Sequence, residues 1–194
     1  MKKVMSLVMV LVCFVAMAGC GEMKESDFEP GKLVKEDFAL INTETGVKLT
    51  LGMTKKEIEK LIGEPTGESS VGIDYTEALH IIYRDDKAAI FIAYEDTYKT
   101  PRGIQPEQSK MSDINAKYGG KGVIDSDFDK EGDPGYIYLL NLKTKEMVTN
   151  TVNKEYANNN LPLKDIAAMS FGTDDGETVF AVVVSDGEMY FNRE

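Results

Sequence analysis

The sequence predicts an α+β fold of tandem units, each a short helix packed on antiparallel β-sheet. Three observations predict it. The stretch "LTLGMTKKEIEKLIGEPTGE", residues 49–68, is a short helix punctuated at both ends. Two segments rich in Ile, Tyr and Phe flank Asp85-Asp86 as a hairpin would. The order helix-then-strands recurs in the second half of the chain.

The chain begins "MKKVMSLVMVLVCFVAMAGCGE". Lys2 and Lys3 precede an apolar run from Val4 to Ala18 that is short for a spanning helix, and this reads as a signal peptide over residues 1–19. The run closes on Met17-Ala18-Gly19-Cys20, which resembles the lipobox of bacterial lipoproteins. The resemblance implies that Cys20 carries a lipid and holds the protein on the extracytoplasmic face of a bacterial membrane. Cys13 would leave with the signal, so Cys20 would be the single cysteine left, and no disulfide or thiolate metal site is expected.

Charge narrows the partners. The whole chain has a formal net charge of −11, and without Lys2 and Lys3 it has 20 basic against 33 acidic residues, or −13. Nucleic acid is not an expected partner, because polyanion binding depends on Lys and Arg displacing counterions.

After Cys20 the sequence "GEMKESDFEPGKLVKE" is charged and has little to bury, so residues 20–36 are expected to be the lipidated Cys and a flexible tether. Residues 37–100 then form the first α+β unit and residues 101–194 the second. In the first, "FALIN" and "VKLTL" read as extended segments joined around Thr43 to Gly46. Thr54 and Glu57 form a capping box, Met53 and Ile58 a hydrophobic staple, and Gly63 with Pro65 the stop. The helix therefore runs roughly from Lys55 to Ile62, with Ile58, Leu61 and Ile62 as its apolar stripe. "EALHIIYR" and "KAAIFIAYE" make the hairpin.

In the second unit Ser109 or Ser112 is expected to cap a helix with the stripe Met111, Ile114 and Tyr118 and the stop Gly119. The segments "YIYLLNL", "DIAAMSF", "TVFAVVV" and "EMYF" read as strands, with turns at Gly172 to Gly176 and at Asp186-Gly187.

The stretch "LGMTKKEIEKLIGEPT" resembles the signature of the small lipoproteins of the outer-membrane β-barrel assembly machine and of the wider β-lactamase-inhibitor-protein-like fold. Gly52, Met53, Thr54, Gly63 and Pro65 carry it, and "RGIQPEQSKMSDINAKYG" is similar to the shorter second-repeat signature at Ile104, Ser109 and Tyr118-Gly119. The resemblance covers about 35 residues and implies envelope protein–protein binding without catalysis. It carries over no binding residue, since the matched positions build the turn.

Candidate chemistry is sparse. Asp125, Asp127 and Asp129 alternate as the first ligands of a calcium loop do, but Lys130 stands where that loop needs Gly and Tyr136 where it needs the bidentate Glu. An acidic solvated loop is the plainer reading; calcium is the only cofactor considered, as a weak metal alternative. Ser170 in "AMSFG" mimics a nucleophile elbow, yet the following residues lead into a strand and not a helix. His80, the only histidine, has no second His or Cys with which to form a zinc site. No catalytic residue is therefore assigned. A hydrolase using paired carboxylates such as Asp125 and Asp127 is the rival reading, and two carboxyls about 5 to 9 Å apart in a cleft would favour it. The strands are apolar on both faces, so one face needs a cover beyond the helices, whether the second repeat, loops or a partner; the two halves covering each other and an open interaction surface are equal readings, and Ile82 and Ala93 are the positions to consider for the latter. The expected function is thus non-catalytic binding of an envelope or secreted protein.

Overall fold

The computed structural model describes residues 23–120, 122–124, 136–149, 154–173 and 177–192. The first half contains β1 (Ala39–Asn42), β2 (Lys48–Thr50), α1 (Lys55–Ile62), β3 (Gly67–Glu68), β4 (Ile73–Thr76), β5 (Leu79–Arg84), β6 (Lys87–Ala93) and β7 (Tyr98–Lys99). The second contains α2 (Met111–Tyr118), β8 (Val123–Ile124), β9 (Tyr136–Asn141), β10 (Glu146–Val148), α3 (Lys154–Asn160), β11 (Ile166–Thr173), β12 (Val179–Asp186) and α4 (Gly187–Asn192). The fold is α+β with two antiparallel sheets.

The large sheet runs β10-β9-β11-β12-β6-β5-β4-β3, with β8 also on β9, and the small one runs β2-β1-β7. Pairing of β12 with β6, Val182 opposite Ala93 and Val184 opposite Phe91, carries the large sheet across both halves of the chain. The hairpin of β5 and β6 forms because Asp85 and Asp86 both accept positive φ, +52° and +61°. Two left-handed residues give the turn whose twist matches the strands.

Both sheet faces are covered. On one, Leu79, Ile81, Phe91, Val182 and Met169 pack against Leu40 and Leu49 of the small sheet, Ile58 of α1 and Ile114 and Tyr118 of α2. On the other, Ile137, Leu139, Ile166 and Ala168 pack against Ala157 of α3 and Phe191 of α4. Each large apolar side chain so enclosed contributes about 1.5–3 kcal/mol.

At α1 the Thr54 hydroxyl accepts from the Glu57 amide at 3.3 Å, and the Glu57 carboxylate accepts from the Thr54 amide at 2.8 Å. The Thr54 amide and, also at 2.8 Å, the Thr54 hydroxyl donate to the Glu57 carboxylate and hold it below the ordinary carboxylate range, and a cap of this kind is worth about 1 kcal/mol. Gly63 ends the helix at φ +93°, where a branched residue would be strained. The turn before it is stitched to β6: the Gly52 amide donates to the Ala88 carbonyl at 2.8 Å and the Ala88 amide to the Met53 carbonyl at 2.8 Å. Of the expected stripe, Ile58 is buried and Ile62 half-buried, but Leu61 is 45% exposed. A two-turn helix touching the sheet along one line leaves its neighbouring column in water.

Four other expectations change. The N-cap of α2 is Lys110, not a serine; Asp113 accepts from the Lys110 amide at 2.8 Å, and Ser109 is engaged by the Gln105 amide. Of the turn expected at Gly172 to Gly176, Gly172 continues β11, since its missing Cβ makes room for the Phe180 ring 2.7 Å from where that atom would lie, and residues 174–176 lie outside the described residues. "EMYF" is helical and not a strand, because the Asp186 carboxylate accepts from the Met189 amide at 2.8 Å, so Asp186-Gly187 starts α4 and makes no hairpin turn.

Last, residues 25–37 are fastened to the domain where a tether was expected. Leu33 is buried in the core and Arg102 grips this strap. The guanidinium makes five hydrogen bonds: two to the Asp37 carboxylate at 2.6 and 2.8 Å, and three to the carbonyls of Glu29, Lys32 and Lys117 at 2.7–2.8 Å. All five of its donors are used. Its central carbon lies over the rings of both Phe28 and Tyr118, 4.9 and 4.8 Å from their centroids. Burial pushes the Tyr118 phenol up, so it stays neutral and donates to Thr100 at 2.9 Å.

Candidate functional site

Two adjoining hollows of about 390 and 420 Å³ share Leu51 and Leu142 in their linings and are together called the groove. The turn between β2 and α1 supplies one wall, the residue after β9 the other. Phe38 and Ala167 give the first hollow its buried apolar lining, and Ala88, Ala89 and Ile166 give the second its own. Gly52 of the helix signature stands in the wall.

The rim is basic. Lys35 comes from the end of the strap, Lys48 from β2, Lys87 from the start of β6 and Lys164 from the turn before β11. None makes an ion pair or side-chain hydrogen bond among the described residues. Arg84, at one end, is instead occupied by Asp186 at 2.9 Å and Glu188 at 3.0 Å. Of the lining carboxylates Glu36, Asp85 and Asp186, the last is committed to Arg84 and to the cap of α4. In a chain of net charge −11, four lysines without an ion pair among the described residues, of which Lys87 also feels the Glu57 carboxylate, outnumber the lining carboxylates and make the charge here locally positive. Such a field draws acidic groups here and repels them elsewhere. The lysines are spread over 130 residues of sequence, so no local motif announces the groove.

His80 is not alone. Its Nδ1 lies 2.5 Å from the Asp74 carboxylate, which also accepts from the Ser69 hydroxyl at 3.0 Å, and its ring meets Tyr94 edge-on at 5.3 Å. Asp74, His80, Ile92, Val183 and Ser170 form one cross-strand row. Three strand spacings, about 14 Å, separate His80 from Ser170. The row cannot work as a Ser-His-Asp relay, and Ser170 sits mid-strand in β11. The Asp74–His80 pair ties β4 to β5.

The remaining expected positions fall as follows. Ala93 is fully buried between Leu79 and Val182 and belongs to the main core, so it offers no open surface. Ile82 is half-buried and opposite Ile90, on the other face of the sheet from Ala93. The two therefore do not share a surface. An unbroken apolar run in a central strand is explained by packing on both sides, with no partner required. Gly52, Met53, Thr54, Glu57, Gly63 and Pro65 lie at the two ends of α1. Cys20, Asp125, Asp127 and Asp129 lie outside the described residues.

Among the described residues no group of three His, Cys, Asp or Glu could hold a metal ion, and no helix is long and apolar enough to cross a membrane. No family model, curated protein or solved structure matches the chain.

Proposed function

We propose that the protein is a lipid-anchored extracytoplasmic lipoprotein that acts without catalysis as a protein-binding module of the cell envelope. Its groove takes an acidic segment, bearing apolar side chains, from an envelope or secreted protein. The observation that carries this reading is the set of lysines without an ion pair among the described residues, Lys35, Lys48, Lys87 and Lys164, beside buried apolar side chains in an acidic chain. Charge would steer and select the partner, and apolar contact in the groove would slow its release. The order of a helix before β3–β6 and again before β8–β12 supports a tandem, β-lactamase-inhibitor-protein-like arrangement of the two halves. The lipobox-like Met17-Ala18-Gly19-Cys20 supports the anchor.

The test is a fluorescence-anisotropy titration with a short peptide alternating Glu and Leu, beside a Gln-Leu and a Lys-Leu peptide. Preference for the acidic peptide, weakened by salt and at least about 10-fold by the double change Lys48→Glu and Lys164→Glu, is expected; tenfold corresponds to about 1.4 kcal/mol. Equal binding of the three peptides, or indifference to the double change, would remove the groove from the function.

A further inference from the structure

The strap sets how far the domain can stand from a membrane. Fastening begins at Glu25, whose carboxylate pairs with Lys99 at 3.3 Å and Lys117 at 3.6 Å. It continues at Gly31, whose amide donates to the Tyr118 carbonyl at 3.0 Å. There the two backbones nearly touch: a Cβ on Gly119 would come within 2.9 Å of the Gly31 Cα. The Arg102 knot on Asp37, Glu29 and Lys32 closes the strap, and Lys35 at its end is part of the groove rim.

From Cys20 to Glu25 there are five residue steps, which span at most about 18 Å when extended. Were the strap loose, the leash would run seventeen steps to Asp37 and reach about 60 Å. On the premise of the lipid anchor proposed above, we infer that the docked strap holds the domain against the bilayer, and that the groove's partner is itself a membrane-embedded or membrane-bound protein. A freely diffusing secreted protein would gain nothing from so short a leash. A partner fixed in the same membrane would meet the groove at a high effective concentration, because a short leash confines both to one layer.

The strap and the anchor are tested separately. The chain from Cys20 onward, which keeps every described residue, is coupled through the Cys20 thiol to maleimide lipid in neutral phosphatidylcholine vesicles. This places Cys20 on the bilayer whether or not cells lipidate it. A fluorescent amino acid at the exposed position Ser112 reports energy transfer to a headgroup dye.

Strong transfer is expected, and a Gly/Ser spacer of about twelve residues between Glu22 and Met23 should reduce it sharply, since its own mean span is about 20 Å. Transfer in the unmodified chain as weak as in the spacer variant would overturn the inference. Hydrogen exchange gives a second reading without any variant: protected Gly31 and Asp37 amides support the docked strap, and exchange at the rate of an unstructured peptide refutes it. Incorporation of an alkyne-tagged fatty acid into the full chain in cells supports the anchor. Its absence would sink the anchor, and with it the membrane-bound partner, even if the strap is docked.

Discussion

Arg102→Ala is expected to destabilise the fold by about 3–5 kcal/mol, the usual cost of leaving one charge of a buried pair without its partner. The pair is enclosed, with Arg102 2% and Asp37 0% exposed. Removal of the guanidinium leaves the Asp37 carboxylate with the Val34 amide as its donor, takes a donor from three backbone carbonyls at once, and removes the cation over the Phe28 and Tyr118 rings. Urea unfolding should show the loss, and trypsin should cut at Lys32 or Lys35 under conditions that spare the parent. Arg102→Lys is expected to recover only part of the stability, because three donors on a point charge cannot replace five in a planar fork. An alanine variant within about 0.5 kcal/mol of the parent, the ordinary range for a surface change, would show that the knot does not hold the strap.

Cys20→Ala is expected to move the protein from the membrane fraction to the soluble one nearly completely. Attachment in this account depends on acyl chains on the Cys20 sulfur, each buried methylene contributing about 0.8 kcal/mol. The chain's acidity argues against adsorption as a substitute, and the groove lysines offer at most a few salt-sensitive contacts to anionic headgroups. Fractionation with a high-salt wash separates the two causes, since screening removes the lysine contribution and leaves the lipid one. A variant that stays with the membrane after the wash would contradict the anchor.

How readily the sequence discloses this structure depends on how locally each feature is encoded. The helix from Lys55 to Ile62 and the hairpin at Asp85-Asp86 could be read because cap, stop and turn lie within a few residues of the elements they control. Asp186-Gly187 misled for the complementary reason. An Asp-Gly pair serves a hairpin turn and a helix start equally, and the choice here rests on Gly187 fitting against Ile166, where a Cβ would come within 2.7 Å.

The strap reads as a tether because little in its composition binds anything; its affinity resides in backbone carbonyls and in an arginine 65 residues beyond Asp37. The groove was invisible for the same cause, with its lysines drawn from the strap, β2, β6 and the turn before β11. Apolar runs such as "AAIFIAY" state that a strand is buried on both faces, but not what buries it. Here α4 and α3 cover the far side, and Ala93 is lost to the core.

Photo-crosslinking in intact cells shows whether a membrane-held module binds its partner through the groove. A photoreactive residue replaces either Leu142, in the groove, or Leu61, exposed on α1 and outside it. A discrete adduct with a membrane protein is expected from position 142, lost when Lys48→Glu and Lys164→Glu are added, and no such adduct from position 61. The same adduct from both positions, or one from position 142 that survives the lysine changes, would contradict binding through the groove.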